Sequence, residues 1–119
     1  MARIDYVELP SLTAHELTRG FYTKAFGWQF IDHGSDYSAT SGGPVEVGLN
    51  GQPDDALSAP LPIICVEDLE TAFEAVVAAG GVIARPIFAF PGGRRFHFID
   101  PGGNELAVWS KAVPAATTD

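Results

Sequence analysis

A chain of 119 residues with 46% hydrophobic residues has room for one domain with a core of its own. Its formal net charge of −8, from 15 acidic and 7 basic residues, argues against binding to nucleic acid or to an anionic membrane surface. The single cysteine, Cys65, excludes an intrachain disulfide and favours a reducing compartment. Since no apolar signal core and no run of membrane-spanning length is present, we expect a cytoplasmic protein.

Short alternating segments predict eight strands in two groups of four. The strands lie near residues 3–9, 28–33, 36–41, 45–50, 61–66, 82–88, 94–99 and 105–110. A polar stretch with two prolines, residues 51–60, carries no periodicity and is predicted to be a linker between the groups. Residues 112–119 have the composition of a frayed tail.

A helix is predicted after the first strand. Thr13 and Glu16 have the spacing of a capping box, with Thr13 as the N-cap. The helix runs to about Phe26, and Gly27 is a natural C-cap. Apolar residues recur every four positions and predict one buried stripe, made of Leu17, Phe21 and Ala25.

A second helix is predicted after the fifth strand. Asp68 is placed to cap its start, and Gly80 and Gly81 stop it. Its apolar face consists of Leu69, Ala72, Phe73 and Val76.

The two halves of the chain show the same order of elements, which indicates an internal repeat. Residues 6–27 and 61–81 both read as strand, capped helix and glycine stop. We therefore predict an α+β fold in which two βαβββ modules form a curved, eight-stranded mixed sheet with a concave pocket. Residues 1–119 form one domain, with module one at about 1–51 and module two at about 61–112. The alternative is a generic α+β sandwich whose halves are alike by chance.

Three motifs occur in a characteristic order. They are the phrase Gly-Phe-Tyr-Thr-Lys-Ala-Phe-Gly-Trp at 20–28, Val-Glu-Asp-Leu at 66–69, and the turn Asp-Pro-Gly-Gly-Asn at 100–104 between two strands. Together they resemble the vicinal-oxygen-chelate superfamily, which holds glyoxalase I, bleomycin and fosfomycin resistance proteins and extradiol dioxygenases. The chain looks most like the short bacterial members described only as glyoxalase-like.

The resemblance implies where a metal would bind in related proteins. Three of the family's ligand positions fall on Tyr6, Leu61 and Ala107 of this sequence. Leucine and alanine donate nothing to a metal, and tyrosine alone does not hold a divalent ion. A fourth position lies on the strand near 45–50, where Glu46 is the acidic residue. We therefore expect no metal and no other cofactor.

Strand alternation, started from those family positions, predicts which side chains line the pocket. The lining residues are Tyr6, Glu8, Ile63, Cys65, Arg95, His97, Glu105 and Trp109. Five of them have a plainer interpretation. It is core packing for Tyr6, Trp109 and Cys65, and a solvated strand end for Arg95 and Glu105. Glu8 is the hardest to dismiss, because a carboxylate inside a first strand needs either a partner, which would be Arg95 or His97, or a wet cavity.

Glu8 and His97 are candidates for acid–base chemistry, since imidazole titrates near neutrality. The plainer alternative is a hydrogen-bonded core histidine. A non-standard metal site made of Glu8, His97 and Glu105 is a further alternative. His15 and His33 are predicted to be surface residues.

Three functions remain open at this point. The first is a metal-free protein that binds a small aromatic or anionic molecule in the concave pocket. The second is a lyase or isomerase of the glyoxalase type that uses Glu8 and His97. The third is an interaction module that dimerises through a sheet edge. The resemblance implies a homodimer as the assembly.

Overall fold

A computed structural model describes residues 2–53 and 58–111, and this part of the chain holds eight strands and two helices. They are β1 (Arg3–Pro10), α1 (His15–Phe26), β2 (Ile31–Asp32), β3 (Tyr37–Ala39), β4 (Glu46–Asn50), β5 (Leu61–Cys65), α2 (Leu69–Ala78), β6 (Val82–Phe90), β7 (Gly93–Ile99) and β8 (Glu105–Lys111). Residues 54–57 of the predicted linker and the predicted tail at 112–119 lie outside the described residues. Neither described helix is long and apolar enough to cross a membrane.

The eight strands belong to a mixed sheet, which confirms the predicted α+β class and the repeated βαβββ order. The strand order is β2-β3-β4-β1 in the first half and β5-β8-β7-β6 in the second. β1 pairs with β4 and β5 with β8 in parallel, while the other pairs within each half are antiparallel. Contacts separate two compact units, which we call the first module (residues 5–62) and the second module (residues 63–111 with 2–4).

The core of the second module lies between α2 and one face of its strands. Leu69, Phe96 and Val108 are buried at its centre. The remaining apolar face predicted for α2 packs against them, together with strand residues: Ala72, Phe73, Val76, Ile64, Val66, Ile83, Ile87 and Phe98. The predicted cap is confirmed, because the Asp68 carboxylate accepts a hydrogen bond from the Thr71 amide at 3.0 Å.

The hairpin between β7 and β8 follows the turn chemistry of its sequence. The Asp100 carboxylate accepts hydrogen bonds from the amides of Gly102 and Asn104, both at 2.9 Å. Gly103 has a φ of 87°, a conformation that glycine adopts without strain. The turn fixes the register of β7 against β8, and with it the positions of the site residues described below.

The start of α1 differs from the prediction. The capping box at Thr13 is wrong: the N-cap is Ala14, and no side chain caps the helix. The helix therefore begins one residue later than the box requires, and the Ser11 hydroxyl binds His15 Nδ1 at 2.7 Å. The end is as predicted, since Gly27 is the C-cap in the left-handed conformation.

The predicted buried stripe of α1 is also wrong. Leu17 and Phe21 are 79% and 58% exposed, and α1 contains no buried residue. The side of α1 that meets the sheet is polar instead: His15 Nε2 lies 3.1 Å from Ser38 Oγ, and Arg19 pairs with Asp32 at 2.9 Å. His15 is therefore half-buried and hydrogen-bonded, not the surface residue expected from its place in the first turn. His33 is exposed as predicted.

Candidate functional site

The face of the second-module sheet that points away from α2 carries the predicted site residues of this module. Alternation sends Phe96 and Val108 to the helix, so their neighbours point the other way. Trp109 of β8 lies between its register partners Arg95 on β7 and Cys65 on β5. In the same way, Ala107 of β8 lies between His97 on β7 and Ile63 on β5. Paired residues share a face. We call this set the polar–aromatic face: Ile63, Cys65, Arg95, His97, Ala107 and Trp109, with Phe88, Phe90 and Arg85 of β6.

His97 is the central group of this face. It is only 1% exposed, and its Nδ1 lies 2.9 Å from Glu105 Oε2. Because an ionised carboxylate only accepts hydrogen bonds, Nδ1 carries the proton and Nε2 is left with a lone pair. Within the described residues, Nε2 is buried and has no hydrogen-bond partner. A buried polar atom of this kind is costly unless something else binds it.

Burial lowers the pKa of His97, and the nearby guanidinium groups of Arg95 and Arg85 act in the same direction. The hydrogen bond to Glu105 opposes the shift without reversing it. His97 is therefore neutral at pH 7. A neutral imidazole with one oriented nitrogen accepts a hydrogen bond or takes a proton.

This shift predicts a pH dependence of stability. A histidine whose pKa is lowered on folding stabilises the native state above its unfolded pKa of about 6.5, and this contribution is lost as the pH falls. We expect the free energy of unfolding, measured by denaturant titration, to fall below pH 6.5 more steeply in the wild type than in His97→Gln. The carboxylates with lowered pKa values are those of Asp32, Asp68, Asp100 and Glu70, whose ordinary values are 3.8 and 4.5, and they are common to both proteins. Identical slopes in the two proteins between pH 6.5 and 4.5 would contradict this assignment.

Positive charge and aromatic rings meet on the same face. The Arg85 guanidinium lies 4.1 Å from the centroid of the Phe88 ring, and that of Arg95 lies 5.4 Å from it. Phe90 meets Trp109 edge to face, with centroids 6.1 Å apart. A planar anion is the ligand that such a combination of cations and rings suits.

The neighbouring arginine does not belong to this face. Arg94 points to the helix side and makes two hydrogen bonds to the Glu70 carboxylate of α2, at 2.6 and 3.0 Å. Its charge is matched there. Arg95, which the sequence analysis grouped with the pocket residues, is the arginine that shares a face with His97.

The first module buries the other carboxylate that the sequence singled out. Glu8 is 4% exposed, and it accepts hydrogen bonds from the Tyr37 hydroxyl at 2.9 Å and from the Asn50 amide at 3.3 Å. Tyr37 is bonded in turn to the Tyr6 hydroxyl at 2.6 Å. We call these four residues the tyrosine–glutamate cluster. The predicted pairing of Glu8 with Arg95 or His97 concerns residues of different modules and stays a prediction.

A glycine makes room for this cluster. Gly48 is the register partner of Glu8 on β4, and any Cβ there would collide with the hydroxyl oxygens of both Tyr6 and Tyr37. Burial raises the pKa of Tyr37, and the charge of Glu8 raises it further, so this phenol keeps its proton. Sequence reasoning missed Tyr37, Gly48 and Asn50 as members of this cluster. The available signal was the alternation of side chains along β3 and β4, which places Gly48 and Asn50 on the same face of the sheet.

The donors at the family's metal positions do not fit a divalent ion in this chain. Leu61 and Ala107 are buried and carry no ligand atom, and the Tyr6 hydroxyl is held by Tyr37. Glu46 on the remaining strand accepts hydrogen bonds from Thr40 Oγ1 and from a backbone amide, both at 2.6 Å. In the described part of the chain, no three histidine, cysteine, aspartate or glutamate residues form a group that fits a metal.

The chain belongs to the Glyoxalase/Bleomycin resistance protein/Dioxygenase superfamily, whose family model matches residues 4–108. Among curated proteins, no sequence matches this chain significantly.

Solved structures of the same fold are similar to the chain at low sequence identity. A methylmalonyl-CoA epimerase from Mycobacterium tuberculosis has a TM-score of 0.72 at 12% identity, over 98% of this chain and 91% of the epimerase. A member of the superfamily from Vibrio splendidus 12B01 has a TM-score of 0.65 at 17% identity, over 93% and 99%. A Mn(II)-bound glyoxalase from Novosphingobium aromaticivorans has a TM-score of 0.67 at 18% identity, over 95% of this chain and 42% of the glyoxalase.

Proposed function

We propose that the protein binds a small aromatic anion on the polar–aromatic face, and that the ligand donates a hydrogen bond to His97. The observation that carries this proposal is His97 Nε2, an oriented acceptor that is buried without a partner among the described residues. A polar group is rarely left in this state unless it has a ligand or an ordered water to bind.

The surroundings of His97 define the chemical class. Arg85 and Arg95 supply positive charge, and Phe88, Phe90 and Trp109 supply ring surfaces. Small-molecule sites combine apolar walls with a few polar groups in the same way. The ligand would therefore combine a planar ring, a carboxylate or similar anion, and a hydroxyl or amine donor.

Four matched probes test the three parts of this description separately. 4-Hydroxybenzoate has the ring, the charge and the donor. 4-Methoxybenzoate lacks the donor, 4-hydroxybenzamide lacks the charge, and 4-hydroxycyclohexanecarboxylate lacks the aromatic ring. We expect the first to bind most tightly in calorimetry. Equal binding of all four, or binding of none, would overturn the proposal.

Variants then locate the site. We expect His97→Leu and Arg95→Gln to weaken 4-hydroxybenzoate binding by about tenfold each, because each removes one polar contact with the ligand. Arg94→Gln is the matched control, since that arginine is paired with Glu70 on the helix side. A loss as large in Arg94→Gln as in Arg95→Gln would show that overall charge, not this face, controls binding.

A second function, a lyase or isomerase, is supported by the orientation of His97. Glu105 holds the proton on Nδ1, so Nε2 is ready to take a proton from the carbon beside a substrate carbonyl. The electron pair of that C–H bond would then move into an enolate, and the same nitrogen would return the proton. Three of the similar solved structures are methylmalonyl-CoA epimerases bound to a CoA compound, which makes proton exchange the reaction to test.

Deuterium uptake from heavy water tests this second function. Methylmalonyl-CoA and the hemithioacetal of methylglyoxal and glutathione are the two substrates to incubate with the protein. Exchange that is lost in both His97→Gln and Glu8→Gln would support acid–base catalysis by these two residues. Exchange at the uncatalysed rate would reject it and leave the binding proposal standing.

A further inference from the structure

The outward side of α1 has the character of an interface. On a helix wheel with about 100° per residue, an arc of about 140° contains five residues: Glu16, Gly20, Lys24, Leu17 and Phe21. The opposite arc holds His15 and Arg19, which bind the sheet through Ser38 and Asp32. The arc that faces away from the sheet therefore contains the two large apolar residues, which are 79% and 58% exposed. We call this arc the outer face of α1.

Gly20 lies in the middle of this outer face. An added Cβ would meet no atom within 4 Å, so nothing in the fold of one chain requires glycine here. Glycine is also among the least favourable residues in the interior of a helix. A small residue at the centre of an exposed helix face is useful when a second helix crosses closely over it.

The charges on the outer face are arranged for a copy of the same helix. Glu16 lies in the first turn and Lys24 in the last, about 12 Å apart along the axis, which is too far for them to pair with each other. Neither forms an ion pair within residues 2–53 and 58–111. In an antiparallel pair that crosses at Gly20, Glu16 of each helix would meet Lys24 of the other. The same two-fold axis would bring Leu17 to within about 3 Å of Phe21 of the other helix along the axis, which is close enough for the side chains to touch.

We propose that the outer face of α1 is a homodimer interface in which two copies of α1 cross antiparallel at Gly20. A two-fold axis uses the same patch twice, so one helix face provides both halves of the contact. On the wheel, Glu16 and Lys24 flank Gly20, and the two apolar residues lie together beside Lys24, so the contact would combine an apolar patch with complementary charge. The proposal is independent of the ligand proposed above and of any sheet-edge contact.

Sedimentation equilibrium of the full chain tests whether the dimer exists. We expect a species of twice the 12.6 kDa chain mass that dissociates on dilution. A monomer at every soluble concentration would overturn the proposal.

Charge reversal tests the antiparallel geometry. E16K and K24E each turn two attractive pairs per dimer into repulsive ones, so we expect each to weaken dimerisation by about tenfold. The double variant E16K/K24E restores the attraction and should return to nearly wild-type affinity. A mixture of the two single variants should form a heterodimer, because one chain is positive at both positions and the other is negative at both. Single reversals without effect would overturn the antiparallel pairing.

Gly20→Leu tests the close crossing. It should abolish the dimer while each chain keeps its fold, which circular dichroism and thermal unfolding verify. Val82→Asp is the control, since this residue is 63% exposed on β6, away from α1 in sequence and in the other module. Dimerisation that tolerates Gly20→Leu but is lost in Val82→Asp would assign the interface to the sheet edge and overturn the proposal.

Discussion

Phe96→Ala is expected to lower the free energy of unfolding by about 3 to 5 kcal/mol. Phe96 is fully buried at the centre of the second-module core, where its ring meets Phe73 edge to face with centroids 5.0 Å apart. Removing the ring loses its transfer free energy and leaves a cavity between β7 and α2. A domain of this size has only about 5 to 15 kcal/mol of stability, so the loss is a large fraction of the total.

Denaturant titration measures this loss, and Phe26→Ala is the matched control. Phe26 is 64% exposed at the end of α1, so its replacement should cost less than about 1 kcal/mol. Similar losses in the two variants would contradict the position of the core. Because β7 carries both Phe96 and His97, Phe96→Ala should also weaken 4-hydroxybenzoate binding.

Gly48→Ala is expected to lower the free energy of unfolding by about 1 to 3 kcal/mol, the range for overpacking. The new Cβ would collide with the phenol oxygens of Tyr6 and Tyr37 and approach the ring edge of Tyr6. The sign of the effect is informative. Alanine is ordinarily preferred to glycine inside a strand, so a site without this crowding would be stabilised.

Two further variants isolate the cause. Gly43→Ala is the control, since its Cβ would meet its nearest atom at an ordinary 3.6 Å. Adding Tyr37→Phe to Gly48→Ala removes one of the two colliding oxygens and should recover part of the lost stability. If Gly48→Ala is neutral, or if the second change recovers nothing, the packing of the tyrosine–glutamate cluster is not as described.

Most of the fold was predictable because its signals are local. The cap at Asp68, the turn at Asp100 and the glycine after Phe26 each use chemistry that is visible within a few residues. The order of elements then follows from the repeat. The same locality explains the errors at α1. Periodicity shows that a helix has an apolar arc, but it does not show whether that arc faces the sheet or the solvent.

The polar contacts of the site were harder to predict because they join distant positions. Alternation placed His97, Arg95 and Trp109 on one face once β7 and β8 were recognised. The partners of Glu8 are 29 and 42 residues away, on strands whose pairing the sequence alone does not give. The bond from His97 to Glu105 depends on the register set by the turn between them.

We propose that Nε2 of His97 accepts a hydrogen bond from the donor group of an aromatic anion. Nitrogen-15 NMR of the histidine rings tests it directly, with His97→Leu assigning the signals. In the free protein we expect Nδ1 to be protonated and Nε2 to carry no proton. We expect the Nε2 resonance to move on addition of 4-hydroxybenzoate but not of 4-methoxybenzoate. A ring protonated at Nε2, or an Nε2 signal unmoved by bound 4-hydroxybenzoate, would contradict it.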